Sequence, residues 1–229
     1  DFKSSVNDIY LSALSHRGPD AQGYLVVDDF VLVHTRLKIL DMSDSSNQPI
    51  STEIGVLIFN GEIYNYHDLA SFYFKEQFAS DSLFLIRFLD TYGLKKLDEL
   101  EGMFAFGYYA RAEKTLYLAR DKQGEKFLYY SFSEGILNFA SEIRPLLKVL
   151  GEVSISAENI KRWLRMCTNP EHTLIDGIKL LAPGNFLSVN NGKLNVHSYV
   201  KNSKRSKHYG TTKKSGKREI RSLVEQAVR

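Results

Sequence analysis

Two hydrophobic rhythms run through this chain. Near-continuous apolar runs of four to eight residues, bounded by turn residues, predict strands at 23–27, 31–34, 55–60, 104–109, 115–119, 127–132 and 136–140. Asp28-Asp29 and Ser133-Glu134-Gly135 separate pairs of these runs as hairpin turns. Apolar residues at helical spacing predict helices at 3–15, 67–76, 81–92, 142–150, 157–164 and 216–229. The stretch 81–92 carries Leu83, Phe84, Ile86, Phe88 and Leu89, an apolar side broad enough to imply burial, with Ser80 and Asp81 ahead of it as natural caps. Residues 151–200 hold a short helical pattern and a hairpin-like close. Hairpin-joined strands clustered between helical segments predict an α+β domain of antiparallel sheets with helices outside.

Composition narrows the partners. The chain has 229 residues, enough for one large domain plus a tail. Its net charge is +3, yet residues 201–218 hold eight Lys or Arg and no Asp or Glu, so the remainder sits near −5. That polar, basic stretch reads as a linker, and its near lack of aromatics for base stacking argues against a nucleic-acid contact. Cys167 is the single cysteine, which excludes an intrachain disulfide and a thiolate zinc site and suits a reducing, cytoplasmic setting. No apolar run is long enough to span a membrane. The chain opens on Asp1 and stops inside a helical pattern, so both ends read as cut.

Four polar islands interrupt this framework. In His16-Arg17-Gly18-Pro19-Asp20, an Arg–Asp pair locking a tight loop is the plain reading. His34-Thr35-Arg36 closes a strand, where an Arg either makes a surface ion pair or grips a carboxylate with two N–H groups. Asn60-Gly61, followed by Glu62, is either a turn or a pair of donors converging on an oxyanion, with Glu62 placed to accept from an ammonium group. Ser80-Asp81-Ser82 is a helix cap or part of the same polar site.

The joint order of nine islands decides between these alternatives. They are residues 14–20, Gln48-Pro49, residues 59–66, Ser80-Asp81, residues 100–106, Ala119-Arg120-Asp121 with Gly124 and Lys126, residues 139–143, Gly177-Ile178, and Pro183-Gly184. From Leu14 to Tyr199 the chain resembles the N-terminal glutaminase domain of glutamine-hydrolysing asparagine synthetases, a class II glutamine amidotransferase. The resemblance implies a four-layer α/β/β/α sandwich of two antiparallel sheets, of the N-terminal-nucleophile hydrolase type, with its first strand missing here. It divides the chain into an amidotransferase domain over 1–200, a basic linker over 201–218, and the start of an ATP-pyrophosphatase synthetase domain over 219–229.

The resemblance also assigns roles. Arg36 would hold the α-carboxylate of glutamine, with Leu37 and Ile39 lining the same pocket. Glu62 and Asp81 would grip the α-ammonium, and Asn60 with the Gly61 N–H would hold the oxyanion. The family's nucleophile is an N-terminal cysteine about a dozen residues before the position of Asp1, and Cys167 lies in a region the family uses structurally. The 229 residues are therefore expected to be inactive as a glutaminase. A catalytically dead, glutamine-binding or scaffolding module is the alternative. Leu83 stands where the family has Glu, and Phe127 where it has Pro.

The intact protein implied is a ligase of asparagine biosynthesis, moving ammonia from glutamine to an adenylated acid, normally aspartate. No cofactor is expected in this domain. ATP and Mg would be bound in the synthetase domain, which is the partner expected besides glutamine. The sequence leaves a homodimer open.

Overall fold

The computed structural model describes residues 2–38, 43–165, 172–201 and 213–228. Eleven strands and six α-helices occur among them. In chain order they are α1 (Phe2–Leu14), β1 (Ala21–Val27), β2 (Phe30–Arg36), β3 (Ile50–Ser51), β4 (Gly55–Ile63), α2 (Tyr66–Tyr73), α3 (Asp81–Tyr92), β5 (Gly102–Ala110), β6 (Thr115–Arg120), β7 (Tyr129–Ser133), β8 (Ile136–Ala140), α4 (Ile143–Leu150), α5 (Ala157–Leu164), β9 (Lys179–Leu180), β10 (Asn185–Asn190), β11 (Lys193–Ser198) and α6 (Lys213–Val228).

The sheets are antiparallel. A six-stranded sheet runs β11-β10-β6-β5-β4-β3, and the second layer comes as two pieces, β1-β2 and β8-β7-β9. Alternation along β5 explains how one strand is covered twice. Phe104, Phe106 and Tyr108 pack with Phe84, Phe88 and Leu89 of α3. Ala105 and Tyr109 face the other way, against Val27, Leu32, Leu128 and Tyr130 of the second layer and its flanks. Tyr10 and Leu14 of α1 and Leu146 of α4 close the far side over Ala140. The layer order is helix, sheet, sheet, helix, the α+β sandwich expected from the resemblance.

Departures from the predicted elements have local causes. The turn reading of Asn60-Gly61 is wrong. β4 continues through both residues to Ile63, because β5 pairs with it over nine positions from Gly55↔Ala110 to Ile63↔Gly102. The strand predicted at 127–132 starts later, at Tyr129. Residues before it coil around Asp121, which is 0% exposed and accepts backbone amides from Phe104, Gln123, Glu125 and Lys126. The helix predicted at 67–76 stops at Tyr73, and Lys75 adopts a φ of 54°. α6 begins at Lys213, inside the stretch read as linker.

Candidate functional site

A cavity of about 1040 Å³ lies between the sheets. Arg36, Leu37, Asn60, Gly61, Glu62 and Asp81 all line it, although they come from three elements far apart in sequence. Ile39 and Cys167 lie outside the described residues.

β4 supplies the floor. Its alternation sets Asn60 and Glu62 on the face opposite Leu57, Phe59 and Ile63, which belong to the helix-side core. Along the edge away from β5, the odd-numbered residues carry their backbone groups outward, since Tyr64 donates its amide toward the β5 side, to the Glu101 carbonyl. Two of these outward positions are held by side chains. Gln48 donates from Nε2 to the Phe59 carbonyl at 3.0 Å and accepts the Phe59 amide at Oε1. The Ile63 amide donates to Oδ2 of Asp81 at 3.1 Å. Gly61 lies between them, with its N–H on the same edge. A side chain is excluded there: at φ 145°, a Cβ on Gly61 would come within 2.0 Å of the Met103 carbonyl oxygen. The Asn60 amide reaches only as far as Ser141 Oγ, at 3.5 Å.

Arg36 ends β2 and is 9% exposed. Its Nη1 donates to the Ser43 carbonyl at 2.7 Å and to Asn47 Oδ1 at 2.8 Å, so residues 43–47 fix the guanidinium from one side. Asp81 opens α3. Burial pushes its carboxyl above the ordinary range, the Ile63 and Ser82 amides pull it back, and the Glu62 charge pushes it up again. Two carboxylates that repel one another across a partly buried cavity make a place for a cation. A guanidinium and two acids on one cavity are therefore complementary to a zwitterion.

The loop reading of residues 16–20 is corrected. Arg17 donates to Glu142 at 2.9 Å and lines the cavity, while Asp20 accepts the Lys38 amide at 2.8 Å. Leu83 does not reach the site. Its amide donates to Ser80 Oγ at 3.3 Å, completing the helix cap, and it is not among the cavity-lining residues.

Part of the cavity lining is apolar, contributed by Tyr10, Leu14, Val33, Ile58, Leu128 and Leu137. β2 and β8 both line the cavity, and among the described residues each of these strands is hydrogen-bonded to a neighbouring strand along one edge only. Among the described residues no group of three or more His, Cys, Asp or Glu is placed to hold a metal ion, and no helix is long and apolar enough to cross a membrane.

The sequence pattern of the glutamine amidotransferase domain matches residues 3–200. The chain belongs to this family. Amidase chyE of Penicillium rubens is 32% identical to this domain over 189 residues, covering 77% of the chain and 27% of the relative. Asparagine synthetase [glutamine-hydrolyzing] 1 of Bacillus subtilis is 31% identical over 194 residues, covering 81% and 30%. The amidotransferase domain thus spans less than a third of the length of these curated relatives. In fold it is similar to the B. subtilis glutamine phosphoribosylpyrophosphate amidotransferase solved with ADP and GMP, with a TM-score of 0.63 at 16% identity over 86% of this chain and 47% of that one. The amidotransferase cavity also has lining residues to which the sequence assigns no role, His34, Ser46, Gln48 and Tyr66, together with Ser80 and Ser82 of the helix-cap island. His34, Gln48, Tyr66, Ser80 and Ser82 stand inside or beside the polar islands. Ser46 lies in a run of serines with no distinguishing neighbour.

Proposed function

We propose that this amidotransferase domain binds L-glutamine, with Arg36 on the α-carboxylate, Glu62 and Asp81 on the α-ammonium, and Asn60 with the Gly61 N–H on the oxygen of the side-chain amide. The observation that carries this reading is the convergence of one guanidinium and two acids on a cavity whose floor is Asn60-Gly61. The amide oxygen gains negative charge as a nucleophile attacks, and an N–H held in place before that moment stabilises it without reorganisation. β2 and β8 both line the cavity and each has an edge with no strand partner among the described residues, which suits an extended segment that would pair there. In this reading such a segment carries the cysteine thiol of the family's reaction, and the 229 residues alone bind glutamine without releasing ammonia. In the intact protein the ammonia would serve ATP-dependent amidation of an acid, a reading supported by the similarity to the glutamine-hydrolysing asparagine synthetase, with ATP and Mg bound outside these residues. The acceptor expected is aspartate.

Calorimetric titration of the 229-residue chain with L-glutamine tests the binding step, with L-asparagine as a control one methylene shorter. Saturable heat with L-glutamine and a weaker response to L-asparagine is expected. A chain that binds neither overturns the reading.

A further inference from the structure

Three buried hydroxyls connect the two ends of the zwitterion grip. Ser46 and Ser80 share a hydrogen bond at 2.8 Å, and Ser80 and Ser82 share another at 3.0 Å. The three residues are 3%, 8% and 4% exposed, and all line the cavity. Ser46 belongs to the 43–47 segment, the one whose Ser43 carbonyl and Asn47 side chain hold the Arg36 guanidinium. Ser80 caps α3, one residue before Asp81. Arg36 and Asp81 sit on different elements, so the distance between a carboxylate grip and an ammonium grip depends on what ties those elements together.

We infer that the buried Ser46–Ser80 hydroxyl pair is a positioning link that sets the spacing between Arg36 and Asp81, and so tunes the domain for the α-carbon geometry of an L-amino acid. The inference rests on the glutamine reading and deepens it. A hydroxyl pair suits the task because each oxygen both donates and accepts, so the chain Ser46–Ser80–Ser82 also takes the Leu83 amide at Ser80 without leaving a buried acceptor unfilled. Removing the Ser46 hydroxyl breaks its bond to Ser80, which keeps Ser82 and the Leu83 amide as partners, and lets residues 43–47 shift relative to α3. Arg36 then moves with its anchors. A ligand held at carboxylate, ammonium and side-chain amide loses fit at the first two together. Discrimination between enantiomers depends on all three points being fixed, so it is the property most sensitive to this spacing.

The test is competition binding of L- and D-glutamine to the 229-residue chain, to Ser46→Ala and to Ser46→Thr. The expected result is that Ser46→Ala loses about tenfold in affinity for L-glutamine, with little change for D-glutamine, so the ratio of the two compresses. Ser46→Thr restores the hydroxyl and returns the ratio to within about twofold of the parent. A merely destabilised chain lowers both affinities in proportion and leaves their ratio intact. An unchanged ratio in Ser46→Ala overturns the inference and leaves the glutamine reading standing. Failure of the parent chain to bind L-glutamine overturns both.

Discussion

Gln48 uses its side-chain amide to pair with both backbone groups of Phe59, as a neighbouring strand would. His34 Nε2 donates to the same Phe59 carbonyl at 3.1 Å. β4 is thereby braced on its outer edge two residues before Gly61, and Asp81 braces it two residues after. Gln48→Ala removes a donor and an acceptor from a partly buried edge. The expected loss is about 2 kcal/mol of folding stability, read as a lower denaturant midpoint at constant slope. An unchanged midpoint would show that water replaces the amide at no cost.

Arg36→Lys tests the carboxylate grip more sharply than truncation. Lysine keeps the charge but loses the planar fork, so it cannot donate to a carboxylate through two parallel N–H groups while also meeting Ser43 and Asn47. L-glutamine affinity should fall by roughly 100-fold, near 2.7 kcal/mol, with a smaller effect on melting temperature. Equal affinity for the parent and Arg36→Lys would mean that Arg36 only anchors residues 43–47.

Much of the layering was legible in the sequence because burial on both faces leaves uninterrupted apolar runs, as in β5, and a broad apolar helix face, as in α3. Element ends were less legible where tertiary contacts outweighed local preference. Asn60-Gly61 has the composition of a turn, and nothing local reveals that a nine-residue partner strand will hold it extended. Asp121 gathers four amides from residues 104–126, which delays β7, and that convergence has no periodic signature. At the site, the polar islands single out Arg36, Glu62 and Asp81, which line one cavity. Ser46 could not, because its role depends on which hydroxyl it meets 34 residues away.

In the proposed glutamine reading, Asp81 is both a ligand for the α-ammonium and a source of strain. Burial and the neighbouring Glu62 charge raise its carboxyl pKa, so holding it ionised at neutral pH costs folding stability. Asn at this position keeps an oxygen to accept the Ile63 amide while removing the charge. Asp81→Asn should therefore raise the melting temperature of the unliganded chain by about 2–4 °C, the equivalent of ~1 kcal/mol at this size, while weakening L-glutamine binding at least tenfold. A lower melting temperature would show that the charged form is the stabilising one.

His34 gives a pH dependence of the opposite sign. Its Nε2 donates to a carbonyl, so the neutral ring is the Nε2–H tautomer, and Nδ1 is buried with no partner among the described residues. Burial lowers the pKa from 6.5 to about 4; the Phe59 carbonyl opposes this, and the Arg36 charge adds to it. The unfolded chain takes up a proton below about 6.5, whereas the folded chain resists until about 4. The stability this residue contributes is full above the unfolded value and is lost as pH falls from 6.5 toward 4, by roughly 3 kcal/mol in total. Asp81, with its raised pKa, offsets part of this loss at the acid end. His34→Gln keeps a donor for the Phe59 carbonyl but does not titrate, so its stability curve should be flatter than the parent's across that window. Parallel curves for the two proteins would place the protonation of His34 in the folded state near its ordinary value, with Nδ1 open to water.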